Sequence, residues 1–327
     1  HKEFGVTSEG VVVYFDVAMK HMGKDPKKNP FTVKITGGPD GDVAGNLMKF
    51  LIRDYGDNTK VVGIADGFGV AEDPNGLDMN ELVRLFNIGE SIVKFDKSKL
   101  SPDGFASDIN SEEGLNRRNT MHFRVKANVF IPGGGRPNTI NIGNWHHFLD
   151  ENGVASSPLI VEGANIFTTA EARERLFKDA GVAIVKDSSA NKCGVITSSD
   201  EVACSMLLSY DEFMANKEQL AASIVKRIRK LAENEAVLMF REYKNYPGAL
   251  PSFSERISNA INNTTDALAA FLEDKNPGDP IFEELAPIMR DNLPDHLAMI
   301  AWDRARDRFP LQYQKNSIAS TLASRMV

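Results

Sequence analysis

The stretch FTVKITGGPDGDVAG, Phe31 to Gly45, constrains this chain more than any other. Phe31, Val33 and Ile35 alternate with polar residues, which is the period of a strand. Gly37, Gly38 and Gly41 then open a turn, and Asp42 starts an apolar-periodic helix with Gly45 inside it. A strand, a glycine turn and a helix in that order can cradle a diphosphate. The glycines let the backbone approach the phosphates, and the free N–H groups at the helix start point at the anion. The glycines at 38, 41 and 45 depart from G-x-G-x-x-G. As a bare pattern, the stretch reads equally well as a tight strand-to-helix junction with no ligand.

The next segments sharpen that choice. Lys60 to Ala65 reads as a second strand with Asp66 directly after it. An acid at the end of the second strand accepts hydrogen bonds from adenosine ribose hydroxyls and repels a 2′-phosphate, favouring NAD over NADP. The competing role is loop capping, common for Asp at strand ends. Glycine turn and acid together make cofactor binding the better reading. Gly67 to Gly76 reads as a glycine-rich loop, Met79 to Ile88 as a short helix, and Gly89 to Asn119 as a polar insertion at the domain edge. Asn128 to Pro132 is a third strand running into Gly133, a corner that faces the ligand end of a doubly wound sheet. Leu159 to Glu162 and Val182 to Val185 are further strands, with a capping box at Thr168 and Glu171 between them. In front of all this, Thr7 or Ser8 caps a helix ending at Gly23. Strands alternating with helices predict an α/β, doubly wound, mainly parallel sheet over residues 1–208. From 209 to 327 only helical periodicity remains, and its expected roles are packing and subunit contact.

Composition sets the outer limits. A net charge of −7 argues against nucleic acid or an anionic membrane as the main partner, and no apolar run is long enough to span a bilayer. The 2 cysteines make no disulfide framework, so a reducing, cytoplasmic compartment is expected. The paired histidines His146 and His147 have no partner at metal-ligand spacing, and no metal site is expected. Opening on His1 rather than Met, the sequence is expected to be a piece of a longer polypeptide.

Four motifs in order, VTSEGVVVYFDVAMK, ITGGPDGDVAGN, VEGANIFTTAEA and ANKCGVITSSDE, resemble glutamate dehydrogenase. The likeness is to its large NAD-specific class, whose catalytic region is the later part of a long polypeptide. The resemblance covers most of residues 1 to 205 and continues more weakly to the end. It implies a Rossmann-like cofactor domain, NAD as cofactor, and the glutamate/2-oxoglutarate pair as small-molecule substrate. It also implies a homo-oligomeric parent, which would be mitochondrial in a eukaryotic source.

Position by position, the resemblance puts Thr7 near the nicotinamide carboxamide. Gly38, Pro39, Asp40, Gly41, Asp42 and Val43 form the pyrophosphate turn. Asp66 and Gly67 meet the adenosine ribose, and Pro132 and Gly133 lie along the cofactor. Asn165 stands near the nicotinamide ribose, Asn191 at the cofactor–substrate junction, and Ser198 and Val195 in the pocket for the glutamate side chain. Lys192 and Cys193 stand where that motif has Ala-Gly.

The family's catalytic lysine lies in a G-G-x-K-G-G segment that does not occur here. No acid/base pair is evident on this chain; Lys34 lies in a strand and Lys192 is a candidate by proximity alone. No catalytic residue is therefore assigned, and the chain alone is expected to bind NAD without turning over glutamate. Two alternatives stand beside this reading: a leucine- or phenylalanine-type dehydrogenase, against which Ser198 argues, and a non-catalytic dinucleotide-sensing module.

Overall fold

The computed structural model describes residues 2–327. Their contacts divide the chain into two compact units: His1–Cys193 with Ala232–Pro251, and Gly194–Leu231 with Ser252–Val327.

The first unit is built on a seven-stranded sheet. After helix α1 (Val6–His21) come β1 (Phe31–Thr36), α2 (Asp42–Tyr55), β2 (Thr59–Ala65), β3 (Gly69–Glu72) and α3 (Met79–Ile88). Then follow β4 (Phe105–Asp108), α4 (Glu112–Arg124), β5 (Val129–Pro132), β6 (Leu159–Val161), α5 (Ala170–Ala180), β7 (Ala183–Val185) and the short α6 (Asp187–Ala190). The strand order is β4-β3-β2-β1-β5-β6-β7. β1, β2, β5, β6 and β7 run parallel, while β3 is antiparallel to β2 and β4 antiparallel to β3. Only Thr32 of β1 is not buried, as a central parallel strand covered on both faces requires. One face packs Phe130, Phe148, Ile160, Phe167, Leu176 and Ile184 into a continuous core.

Four local expectations change. Gly67–Gly76 is not all loop, because Gly69–Glu72 pairs along β2. Gly89–Asn119 does lie at the sheet edge, where it supplies the outermost strand β4, but it is not an irregular insertion, because it also holds most of α4, the helix that leads into β5. α1 is capped by Gly5, at φ +60°, so Thr7 and Ser8 lie inside it. At α5 the capping residue is Thr169, whose hydroxyl accepts from Ala172 N, while Thr168 is fully buried one residue earlier.

The second unit is helical. α7 (Cys193–Leu207) and α8 (Tyr210–Asn245) each contribute residues to both units, and α9 (Leu250–Leu272) belongs almost wholly to the second. α10 (Pro280–Leu285), α11 (Ile288–Asp291), α12 (Asp295–Ala301), α13 (Ala305–Arg308) and α14 (Leu311–Met326) follow. Two stretches that read as single helices, 281–293 and 295–309, are broken into shorter pieces. Within this unit Ala203, Leu207, Leu220, Leu297, Ala301 and Phe309 form one core, and Leu272, Phe282, Met289 and Ile318 another. No helix among the described residues is long and apolar enough to cross a membrane.

Candidate functional site

β1 is the strand on which the sheet turns. The chain leaves it through α2 to reach β2 on one side, and later returns to β5 on the other. Thr36 at its end faces Ala65 of β2 and Pro132 of β5. At such a switch point the loops beyond the strand ends diverge and leave a crevice. The loops remain tied just before they part: Gly37 N donates to Ala65 O at 2.9 Å and Gly133 N to Thr36 O at 2.8 Å.

The glycines here answer to crowding. Gly37 sits at φ +100°, and a Cβ on it would lie 2.9 Å from Gly134 N. A Cβ on Gly45 would lie 2.2 Å from Pro39 O, so α2 is pressed directly onto the turn. Gly41 caps α2 with an extended backbone and no side-chain cap, leaving the first N–H groups of a 14-residue helix without a side-chain partner there.

Above the turn lies a cavity of about 830 Å³. Gly37, Gly38 and Asp40 line it from the β1 turn, Asp66, Gly67 and Phe68 from the end of β2, and Gly134 and Gly135 from the end of β5. α4 forms a further wall, through Leu115, Arg118, Asn119, His122 and Phe123, and Ile109, Arg136, Thr139, Asn144 and Phe167 also line it. The α4 residues fall at positions i, i+3, i+4, i+7 and i+8. That spacing is one helical face, and it is the signal by which these residues were readable from the sequence. The polar composition of α4 hid it.

Asp66 is 8% exposed. Its Oδ1 accepts from Phe68 N at 2.8 Å and Gly69 N at 2.9 Å, and its Oδ2 from Ile92 N at 2.8 Å. Arg118 Nε donates to its carbonyl at 2.7 Å. His122 is 5% exposed and its Nε2 has no hydrogen-bond partner. Burial, with the charges of Lys34 and Arg118, pushes its pKa down to about 3. The imidazole on the cavity wall is therefore neutral.

A second cluster forms where α1, α2, β5 and β6 meet. A Cβ on Gly163 would lie 2.9 Å from Val43 Cγ1 and 3.2 Å from Pro132 O. Ser8 Oγ donates to Val43 O at 2.8 Å, fastening the first turn of α1, and with it Thr7, to that of α2. Asn191 Nδ2 donates to Asn165 Oδ1 at 2.6 Å. The next residue, Ile166, is held at φ +52°, a strained conformation for a β-branched side chain. Asp187 Oδ2 holds it there by accepting Ile166 N at 2.7 Å. Behind the loop, the fully buried Glu162 accepts from Thr168 N, Asp187 N and Arg173 Nη2. Burial pushes its carboxyl up, against the pull of Arg173.

The structure thus brings Val43, Pro132, Asn165 and Asn191 together in the first unit, and Gly38, Asp40, Asp66 and Gly67 around the cavity. Val195 and Ser198 lie on α7 in the second unit; both are exposed, and Ser198 Oγ bonds back to Gly194 O. Neither candidate lysine offers an available base. Lys34 is fully buried, donating to Val125 O at 2.7 Å and Ser156 Oγ at 2.6 Å, and desolvation pulls its pKa well down. Lys192 is ion-paired with Glu235. Among the described residues no three His, Cys, Asp or Glu side chains group as metal ligands.

The profile of the glutamate/leucine/phenylalanine/valine dehydrogenase family matches residues 1–249. The chain belongs to this dehydrogenase family. Two curated relatives match it along its whole length: a probable NAD-specific glutamate dehydrogenase of Schizosaccharomyces pombe at 35% identity, and glutamate dehydrogenase 2 of Dictyostelium discoideum at 32%. The chain covers 31% and 32% of those proteins, about a third of their length. Among solved structures, Plasmodium falciparum glutamate dehydrogenase 2 superposes with a TM-score of 0.53 at 17% identity, over 76% of this chain and 49% of that one. That similarity supports the fold. The cavity at the switch point is lined by bare glycine backbone and two aspartates, Asp40 and Asp66.

Proposed function

We propose that this chain is the NAD-binding part of an NAD-dependent glutamate dehydrogenase, which interconverts L-glutamate with 2-oxoglutarate and ammonia. The observation that carries the reading is the 830 Å³ cavity at the switch point, lined by Gly37, Gly38 and Asp40 of the glycine turn that leads into α2. The NAD-specific name of the S. pombe relative supports the choice of cofactor.

In this reading residues 38–43 bind the pyrophosphate through backbone N–H groups at the start of α2. Asp40, Asp66 and Gly67 stand at the adenosine ribose, and Pro132 and Gly133 run alongside the cofactor. Thr7 approaches the nicotinamide carboxamide. Asn165 and Asn191 present their amides at the nicotinamide ribose and at the junction with the substrate, while Ser198 and Val195 line the substrate's side-chain pocket. When bound, NAD supplies the acceptor for the hydride leaving the substrate Cα. Holding donor and acceptor face to face is the contribution of this chain. The reaction also needs a base to activate water on the imine. With Lys34 buried and Lys192 paired, that base comes from residues outside this sequence. The helical region contributes packing and subunit contacts in a homo-oligomeric parent.

NADH fluorescence titration and a steady-state assay with glutamate and NAD test this together. Saturable NADH binding without turnover is expected. Robust turnover would refute the missing base, and absence of binding would refute the cofactor assignment.

A further inference from the structure

We infer that Asp40, in the glycine turn, is the carboxylate that accepts the adenosine ribose diol and selects NAD over NADP, while Asp66 serves as the clamp of the adjoining loop. This rests on the NAD reading above and deepens it.

A ribose diol offers two hydroxyl donors to one carboxylate. An ionised carboxylate has about four acceptor positions. Asp66 has already committed three of them, two on Oδ1 to Phe68 N and Gly69 N and one on Oδ2 to Ile92 N. At 8% exposure, it cannot receive a diol bidentately without releasing a backbone N–H of its own loop. Asp40 differs on each point. It is partly exposed, and no described group bonds its carboxylate; its one contact of this kind is Lys2 Nζ on its backbone carbonyl at 2.9 Å.

The two acids converge on one place. A Cβ on Gly38 would lie 2.5 Å from Asp40 Oδ1 and 2.7 Å from Asp66 Oδ2. Both therefore overhang the bare backbone of Gly38, inside the cavity both line. A 2′-phosphate at the Asp40 position would meet two negative charges. The rival attractions are Arg118, whose Nε is held by Asp66 O and Nη1 by Asn119 Oδ1 at 2.9 Å, and the exposed Arg136, which lines the same cavity from the loop after β5; neither stands with the two acids over Gly38.

The test is fluorescence titration of this chain with NADH and with NADPH, for the wild type, Asp40→Asn and Asp66→Asn, with melting temperature measured alongside. Asp40→Asn is expected to weaken NADH by about tenfold, the size of a lost charge-assisted hydrogen bond, and to tighten NADPH, at unchanged melting temperature. Asp66→Asn is expected to lower the melting temperature and weaken both cofactors alike, leaving their ratio within about twofold. A collapsed NADH/NADPH ratio in Asp66→Asn with an unchanged ratio in Asp40→Asn overturns the assignment and returns the ribose to Asp66. Wild-type protein that binds neither nucleotide refutes the NAD reading itself, a result separable from the first.

Discussion

Both flanks of β1 contain an ion pair on a buried glutamate, Glu162 with Arg173 on one side and Glu72 with Arg117 and Arg124 on the other. Their loops, however, are held by different means. On the β5–β6–β7 side, the buried carboxylate of Glu162 depends on a cation: Arg173 Nη2 lies 2.5 Å away, with Thr168 N and Asp187 N as further donors. On the β2–β3–β4 side, the buried carboxylates Asp66 and Asp73 depend on loop donors. Asp73, 1% exposed, accepts from Asn75 N, Ser101 N and Ser101 Oγ at 2.7–2.9 Å. An ion pair fixes two side chains. An acid wrapped by N–H groups fixes the path of the backbone itself, and that path shapes the adenosine end of the cavity. The loop of the first flank is fastened to α5 through a cation, and the loops of the second are moulded by backbone donors.

The largest expected effect falls on the Glu162 flank. Glu162→Ala leaves Arg173, only 13% exposed at its side chain, without its closest partner, and a loss of about 3–5 kcal/mol is expected from denaturant melts. Asp66→Ala removes the acceptor of three backbone N–H groups and is expected to cost about 2–3 kcal/mol by the same measurement, because those groups are then buried unsatisfied. A smaller loss at Glu162 than at Asp66 would reverse the comparison.

The pH dependence sharpens it further. His122, on the cavity wall, has a folded pKa near 3, below the ordinary 6.5. The unfolded chain takes up this proton first, so its contribution is complete above pH 6.5 and is lost as the pH falls from there toward 3. His122→Leu is expected to flatten stability against pH in that window by up to about 1.4 kcal/mol per unit. Equal slopes for variant and wild type would show that His122 is charged in the fold.

Two smaller effects follow. Ile166 holds φ +52° while 54% exposed, so Ile166→Gly is expected to raise stability by about 1 kcal/mol in a thermal melt. Arg117→Ala is expected to stay within about 1 kcal/mol, since Arg117 is a third exposed and Arg124 still pairs with Glu72.

The flanks also differed in legibility. β5, β6 and β7 are buried parallel strands that announce themselves as apolar runs, and β1 announces itself by its alternation. β3 and β4 are four-residue antiparallel strands outside β2, and all of β4 is only half-buried, so neither period nor hydrophobicity marked them. α4 has a strongly polar sequence, yet its Leu115-Arg118-Asn119-His122-Phe123 face lines the cavity. The cap expectations at α1 and α5 missed by one to three residues, because Gly5 and Thr169 owe their roles to the chain direction entering the helix.

From the sequence alone came the glycine turn between strand and helix, the acid after the second strand, the alternation of strands and helices, and the family resemblance. All of these are local in the chain, set by backbone freedom at glycine and by short-range periodicity. Which carboxylate stands free over Gly38 was decided by tertiary structure. Asp66 is occupied by N–H groups from its own bend and from Ile92, 26 positions on. Such a partner is brought in only when the loop closes over the end of the sheet.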